Sequence, residues 1–596
     1  MLWLILALVI LAVVAVRNLL DYVRNFHCPA SATMSPTDVA ANGEVELVTT
    51  TEPPPYRRTF TENLRPRYDA AQGDNLKPTL PQLIPFPDVS PAAPLLHADH
   101  PLPSYWLATS SATSKSSGVN HLVRPNLDDQ WEEDVDVAII GSGITGISAA
   151  YHLVNKLPVS IKNVALFEAR ELYSGATDRN EGHLTASSVL SYANLTTDPA
   201  YLFRFLEPER VEHWGNDRGA KMDETVRTTL TLEAGNVAEL IMIIRMKIMR
   251  ARKTNQSLHE DPELVFGSNW HFCGTQAELD ATKYSVESAK RAGLSDYALQ
   301  ICRVPETEWK GKLHQPNGVV GVYEIPGGTI HPRRFVNFLW ILAYSKATAK
   351  NVKLKTWTFA PIYSLESSED GGSSILHTKK GKCRARYVVH AINAYVSHLL
   401  PAQFSGDDNE RRVVPTRRQC IAPRPTRSSE VSEPLWNMGF SLTHGYDYLQ
   451  QRPTDLISTH GQAVTLCILG RGRQFSRGYE WNVAGDSSID RNVSASLRPI
   501  LSSTFPNNFS EGADPDFEWT GIMAFTKTCH PWVGTVSELS TPSSTASSYM
   551  RRPLRSQYVS DGYSGHGMSR AFSCAQVVVD VIVSGEVGKQ WKPLSW

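Results

Sequence analysis

A glycine-rich turn between an apolar strand and a helix constrains the fold of this chain more than any other feature. Residues 135–140 have the length and composition of a buried parallel strand. The turn 141–146, Gly-Ser-Gly-Ile-Thr-Gly, follows directly, and residues 147–157 then predict a helix. A second apolar strand, Asn163–Phe167, ends at Glu168. This order predicts a Rossmann-type βαβ unit that binds a dinucleotide.

Each glycine of the turn has a distinct predicted role. Gly141 permits the tight turn, Gly143 lets backbone N–H groups approach a diphosphate, and Gly146 lets the helix pack closely on the strand. The helix N-terminus adds a partial positive charge. Glu168, 22 residues after Gly146, is placed to accept hydrogen bonds from ribose hydroxyls.

The segment after the second strand indicates which dinucleotide is bound. Residues 174–183, Ser-Gly-Ala-Thr-Asp-Arg-Asn-Glu-Gly-His, resemble the GATGRNGGH segment of FAD-dependent oxidoreductases in the D-amino-acid oxidase superfamily, which includes glycine and sarcosine oxidases. In that family the segment runs beneath the flavin. The matching residues are Thr177, Arg179, Asn180, Gly182 and His183.

Two positions of this segment depart from the family pattern. Asp178 and Glu181 each replace a glycine. We expect strained backbone there, since glycine alone enters many positive-φ regions freely. A carboxylate near the flavin would also disfavour the anionic reduced ring. Residues 414–419, Val-Pro-Thr-Arg-Arg-Gln, resemble the PxRGQ strand of the family, with Arg418 in place of its glycine. These three departures keep open the alternative of a flavin-binding but catalytically impaired protein.

Three later stretches resemble the same family. Residues 327–332, with the helical 335–347, are similar to the return from the substrate domain to the FAD domain. Residues 386–395 are similar to a strand beside the adenosine. Residues 562–568, Gly-Tyr-Ser-Gly-His-Gly-Met, resemble the GFSGHGM loop that faces the pyrimidine edge of the flavin. The resemblance extends from Val135 to the C-terminus.

The resemblance implies a set of FAD-contacting residues and a non-covalent cofactor. Some relatives attach FAD through a cysteine, and Met523 falls about where that cysteine would be, with Cys529 six residues on. The predicted cofactor-binding residues are Gly141, Ser142, Gly143, Ile144, Thr145, Gly146, Glu168, Ala169, Arg170, Thr177, Arg179, Asn180, Gly182, His183, Ala391, Gly562, Gly565, Gly567 and Met568.

The family's chemistry implies a small amine or amino-acid substrate. Hydride passes from the carbon beside nitrogen to flavin N5, and O2 then yields H2O2. His566 is the candidate catalytic residue, although it could simply hydrogen-bond its loop. Arg417 could clamp a substrate carboxylate or form an interdomain salt bridge. A dehydrogenase using another acceptor is an alternative, but no second GxGxxG motif supports a nicotinamide.

The predicted fold class is α/β: a discontinuous Rossmann-type FAD-binding domain with an α+β substrate domain of mainly antiparallel sheet. The predicted segments are 131–215, 325–395 and 515–596 for the FAD domain, and 216–324 and 396–514 for the substrate domain.

Composition excludes several other classes of protein. Lys+Arg (59) and Asp+Glu (60) nearly cancel, so the chain has no field that would attract nucleic acid. The 8 cysteines form no CxxC pair, which argues against a zinc site, and they are too sparse for a disulfide scaffold. We therefore predict no metal and no nucleic-acid partner.

The N-terminal 130 residues lie outside the resemblance. Residues 2–16 are an unbroken apolar run of about 22 Å as a helix, short of a ~30 Å bilayer core. We interpret residues 1–25 as an uncleaved membrane anchor, with a cleaved signal peptide as the alternative. Basic residues after the run favour a cytosolic body, whereas four N-x-S/T sequons point to the lumen or secretion. Residues 26–130, rich in Pro and Ser, predict a tether or a wrapping segment, with residues 103–107 as a candidate aromatic anchor.

Overall fold

The computed structural model describes most of the chain beyond residue 130. The described residues are 87, 91–94, 100–110, 122–123, 131–156, 160–192, 218–253, 261–368, 372–379, 381–405, 411–426, 435–442, 447–453, 456–457, 463–537 and 556–584. All belong to one compact unit within Pro81–Trp596. The predicted membrane anchor and most of the predicted tether lie outside the described residues.

The first large sheet, sheet A, carries the βαβ unit. In spatial order its main path is β1 (Leu122–Val123), β7 (Lys353–Trp357), β3 (Asn163–Phe167), β2 (Trp131–Ile140), β10 (Gly381–His390), β19 (Gln557–Asp561) and β18 (Trp532–Thr535). Neighbours on this path are parallel except for β19 and β18. The hairpin β8 (Ser364–Ser367) and β9 (Ser374–His377) pairs antiparallel with β10. This parallel order confirms the predicted Rossmann-type sheet.

Four helices share one apolar core with sheet A. They are α2 (Ile144–Lys156), α3 (Arg218–Lys253), α7 (Pro332–Ala349) and α11 (Gly567–Ser584). In the described part of the chain, α11 is the one helix long and apolar enough to cross a membrane, and half of it is buried. Because α11 packs on α2 and α3, it is a core helix here.

The second large sheet, sheet B, is mainly antiparallel. Its order is β17 (Phe517–Thr526), β11 (Val413–Ala422), β16 (Cys467–Arg471), β13 (Asp447–Gln451), β12 (Gly439–Leu442), β4 (Val265–Cys273), β6 (Gly321–Thr329) and β5 (Cys302–Arg303). Only the β12–β4 pair is parallel in the described sheet. The predicted α/β fold with an antiparallel second sheet is confirmed.

Sheet B differs from the predicted segments at two strands, because β6 crosses the predicted boundary at residue 325 and β17 lies wholly in a predicted FAD segment. The prediction placed residues 515–596 in the FAD domain, but β17 pairs along its whole length with β11. The apolar residues of β17 thus belong to sheet B, while the next strand, β18, returns to sheet A.

The remaining described elements are helices, several of which cover sheet B, and a separate two-stranded sheet. They are α1 (Tyr105–Ala108), α4 (Gln276–Arg291), α5 (Ser295–Ala298), α6 (Glu306–Lys312), α8 (Val396–Leu399), α9 (Pro401–Phe404), α10 (Arg491–Thr504), β14 (Leu456–Ile457) and β15 (Ala463–Val464). Helix α10 shows why this cover is stable. Asp490 caps its N-terminus, and Val493, Leu497 and Leu501, on one face, are buried in the core of sheet B.

Candidate active site

The glycine turn brings the ends of two strands into close contact. Gly141 follows β2 with a φ of +102°, and a side-chain Cβ there would lie 2.3 Å from the carbonyl oxygen of Ala391 after β10. A Cβ on Gly146 would lie 1.9 Å from the Gly141 oxygen. Only glycine fits either position, so the predicted tight turn and close helix packing are both present.

Glu168 is fixed at the carboxyl end of β3. Its Oε2 accepts hydrogen bonds from the backbone N–H (3.0 Å) and the hydroxyl (2.6 Å) of Ser142. Its Oε1 accepts from the backbone N–H of Arg170 (3.0 Å). The glycine turn and the acidic residue therefore form one rigid unit at the edge of the sheet.

A long cavity opens from this edge and passes between the sheets. It is lined by the glycine turn and Glu168, by residues of the 175–181 segment, by the loop after β10, and by residues of β11 and β17. Of the predicted cofactor and substrate residues, those on its wall are Gly141, Ser142, Gly143, Ile144, Thr145, Glu168, Ala169, Arg170, Thr177, Arg179, Asn180, Ala391, Gly565, Gly567 and Met568. Most of the predicted set therefore converges on one cavity.

Six predicted residues lie off the wall: Gly146, Gly182, His183, Gly562, His566 and Arg417. Gly182 has a φ of +71°, and a Cβ there would lie 2.3 Å from the side-chain nitrogen of Gln450. Gly562, with a φ of +81°, would bring a Cβ within 2.6 Å of Thr526. Both glycines therefore shape the chain behind the wall.

His183 is half-buried and lies behind the cavity. Its Nδ1 lies 3.2 Å from the side-chain nitrogen of Asn269, and its ring packs edge-on to Tyr448. Burial lowers the pKa of His183 to about 4, so the imidazole is neutral at neutral pH. Residues 174–183 are called the cofactor segment. The neutral ring of His183 packs this segment against sheet B.

His566 contacts a buried carboxylate rather than the cavity wall. Its Nδ1 lies 3.3 Å from Oε1 of Glu233 on α3, and the Nε of Arg570 lies 2.6 Å from the same oxygen. Burial opposes ionisation of Glu233, but Arg570 and His566 outweigh it and lower its pKa. The catalytic role of His566 stays a prediction.

The two neighbouring arginines of β11 point to different places. Arg417 pairs with Glu480 and donates to the Ser488 hydroxyl (2.8 Å), outside the cavity. Arg418 lines the cavity, and its Nε lies 2.7 Å from Oε1 of Glu181, which also lines it. The alternation of side chains along a strand could have indicated that only one of the two faces the site.

Asp178 is directed away from the cavity. It is fully buried, accepts a hydrogen bond from the Ser104 hydroxyl (3.1 Å) and lies 3.6 Å from Arg333. Burial raises the pKa of Asp178 to about 6, against the opposing effect of Arg333 and Arg179. The expected backbone strain is wrong, because neither Asp178 nor Glu181 has a positive φ.

Asp486 is a component of the site that the sequence did not reveal. Both of its oxygens accept from Nη1 of Arg170 at 2.9 Å, and one lies 3.2 Å from Nε of Arg179. All three side chains are buried. No sequence pattern marks Asp486, which lies in a loop between β16 and α10.

The donor set fits a dinucleotide that carries a flavin. The glycine turn leaves a cradle that a Cβ would fill, with a helix N-terminus behind it and a carboxylate at the strand end. Beyond it, apolar side chains including Ile522, Met523 and Met568 line the part of the cavity between the sheets. This combination defines a dinucleotide-dependent oxidoreductase.

Comparison with known proteins identifies the class. Residues 136–581 match the DAO family, FAD dependent oxidoreductases. The chain belongs to this family and is an FAD-dependent enzyme. It is 21% identical over 457 residues to the probable oxidoreductase OrdL of Haemophilus influenzae, covering 76% of this chain and 84% of that protein. Its fold is similar to glycine oxidase from Geobacillus kaustophilus, with a TM-score of 0.50, 15% identity, and coverage of 76% and 96% of the two chains.

Proposed function

We propose that this enzyme oxidises a C–N bond of a small amine or amino acid, with O2 as the electron acceptor. FAD, when bound, would supply the two-electron acceptor for this oxidation, and O2 would take up the two electrons and two protons as H2O2. The observation that carries the proposal is the ion pair between Glu181 and Arg418. Both side chains lie on the wall of the cavity that the glycine turn also lines. A substrate that carries both a neutral amine and a carboxylate offers Glu181 an N–H donor and offers Arg418 a negative charge.

The protein's own residues orient the substrate and exclude water. Arg418 supplies guanidinium N–H groups for a carboxylate, while Met523 and Ile522 of β17 give that region an apolar wall. A substrate amine bound in its neutral form loses hydride without a strong base. The cavity wall therefore needs to hold the donor carbon in place rather than to abstract a proton.

Two observations weaken the catalytically impaired alternative. The carboxylate of Asp178 points to Ser104, not into the cavity, and the charge of Glu181 is matched by Arg418. Neither departure from the family glycines places an unbalanced negative charge on the wall. We also propose that FAD is bound non-covalently, because no cysteine is among the described lining residues.

The deciding experiment follows the visible spectrum of the purified full chain. A flavin spectrum whose chromophore passes a filter after denaturation supports non-covalent FAD; a chromophore retained with the protein contradicts it. The yellow protein is then mixed anaerobically with a panel of amines and amino acids. Bleaching followed by recovery with stoichiometric H2O2 on admitting air supports the oxidase. Bleaching that only a dye acceptor reverses supports a dehydrogenase, and no bleaching by any substrate contradicts the proposal.

We further propose attachment to a membrane through residues 2–16. The support is the unbroken apolar run itself. Asn508 is the asparagine of one of the four sequons, Asn-Phe-Ser, and it is fully buried, so this sequon does not support the lumenal or secreted alternative. Deleting residues 2–24 should move the protein from the carbonate-resistant membrane fraction to the soluble fraction. An unchanged distribution would contradict the anchor.

A further inference from the structure

Residues 101–110, which we call the N-terminal arm, are buried or half-buried and lie against the cofactor segment. The arm lies outside the residues 136–581 that match the family. Ser104, Tyr105 and Trp106 are nevertheless 0%, 1% and 0% exposed. Tyr105 and Trp106 pack with residues of β11, β16 and β17 in one apolar cluster. A segment that precedes the family domain is thus part of its core.

The arm contacts three consecutive residues of the cofactor segment. The Ser104 hydroxyl donates to Asp178 Oδ2 (3.1 Å). The indole N–H of Trp106 donates to the carbonyl oxygen of Asn180 (2.7 Å). Arg179 Nη1 donates to the carbonyl oxygen of Leu102 (2.8 Å). These bonds are buried or partly buried, so the cofactor segment cannot shift without breaking them.

These contacts act on the residues that form the cavity. Thr177, Arg179, Asn180 and Glu181 all line it, whereas Asp178 faces the arm. A buried carboxylate is costly unless it is hydrogen-bonded and matched by positive charge. Asp178, where the family pattern has glycine, receives such a hydrogen bond from Ser104.

We propose that the N-terminal arm is required for tight FAD binding. Through its contact with Asp178, it fixes the cofactor segment that lines the FAD site. Ser104, Trp106 and Asp178 are positioning residues. They hold the 177–181 segment in its FAD-binding conformation without touching the cofactor themselves. The proposal rests on FAD binding by the chain and does not depend on which substrate is oxidised.

The test measures FAD affinity of the full-chain apoprotein by fluorescence titration. We expect Ser104→Ala and Trp106→Phe each to raise the FAD dissociation constant by about tenfold. Ser104→Thr keeps the hydroxyl and should restore affinity. In an Asp178→Gly background, Ser104→Ala should raise the FAD dissociation constant much less, because the acceptor of its hydroxyl is already gone and only the cap on the Leu107 N–H (3.0 Å) is still lost.

A matched control separates positioning from loss of core packing. Trp309→Phe removes another buried indole, 2% exposed, in the core of sheet B. It should lower the urea midpoint of the apoprotein about as much as Trp106→Phe does, yet leave the FAD dissociation constant unchanged. Wild-type affinity in Ser104→Ala, or equal affinity losses in Trp106→Phe and Trp309→Phe, would overturn the proposal while leaving the enzyme's function intact. If Trp106→Phe fails to fold, the Ser104–Asp178 cycle decides alone.

Discussion

At the scale of single residues, Glu181 and Arg418 are each tolerated on the cavity wall because each balances the charge of the other. Each stands where the family pattern has glycine, and their side chains meet at 2.7 Å on the cavity wall. Their side chains are only 12% and 21% exposed, so either charge alone would be poorly solvated. The pair closes space that two glycines would leave open, and so narrows the cavity at the junction of the two sheets.

Breaking this pair should cost more than removing it. We expect Glu181→Gln and Arg418→Gln each to lower the free energy of unfolding by about 3–5 kcal/mol, because each leaves a buried charge without its partner. The double variant Glu181→Gln/Arg418→Gln should lose less unfolding free energy than the sum of the two single variants. Urea unfolding of the four proteins gives the coupling energy. As a control, Glu306→Gln removes an exposed ion pair with Lys310 and should change nothing measurable. Additive losses in the double variant would contradict the idea of a mutually compensating pair.

The glycine turn provides a second test at this scale. Gly141→Ala should abolish FAD binding, because the added Cβ would lie 2.3 Å from the Ala391 oxygen and the φ of +102° disfavours any side chain. Gly175→Ala is the matched control: Gly175 also lines the cavity, but a Cβ there meets nothing within 4 Å. FAD titration of both variants checks this. Equal affinities would mean that the turn does not set the cofactor cradle.

At the scale of elements, local patterns were predictable and contacts between distant elements were not. The unit β2–α2–β3 follows from residues close together in the sequence, and its bounds agree with the prediction to within a few residues. Identifying Arg418 rather than Arg417 as the arginine that faces the cavity required the register of β11, which depends on its pairing with β17 and β16. The placement of β17 in sheet B depends on the same pairing.

A buried ion pair joins α3 and α11, and the sequence did not predict it. Glu233 of α3 is fully buried and binds Arg570 of α11 as well as the backbone N–H of Ser187. Glu233→Gln should lower the free energy of unfolding by about 3–5 kcal/mol, since Arg570 is left uncompensated. Glu224→Gln, at an exposed site of the same helix, is the control. Denaturant unfolding with equal losses in both variants would show that the ion pair does not hold the two helices together.

At the scale of the whole molecule, the cofactor site is assembled from segments far apart in the chain. Arg170 binds Asp486 across 316 residues, and Ser104 binds Asp178 across 74. Such contacts leave no periodicity or spacing in the sequence, so pattern analysis could identify the glycine turn and the cofactor but not the arm or the Asp486 loop. The arrangement makes FAD binding depend on both sheets being folded together.

The stability of the protein in acid should depend on a buried histidine of β10, a central strand of sheet A. His390 is fully buried on β10, where its Nε2 lies 2.9 Å from Oε1 of Gln557 on β19. Burial lowers the pKa of His390 to about 4, against the opposing hydrogen bond. As the pH falls from about 6.5, the unfolded chain takes up a proton that the folded protein refuses. Stability is therefore lost progressively between about pH 6.5 and pH 4.

The variant His390→Gln removes the titrating imidazole but keeps a side-chain N–H donor at this position. The unfolding free energy of the wild type relative to the variant should fall by about 3 kcal/mol between pH 7.5 and pH 4. Taking the difference cancels other titrations, including that of Asp178, which shifts in the opposite sense. His100→Gln, at an exposed position, should follow the wild type. If the difference in unfolding free energy between wild type and variant stayed constant with pH, His390 would be protonated in the folded protein as readily as in the unfolded chain. The parallel core of sheet A would then have to accommodate a charge at its centre.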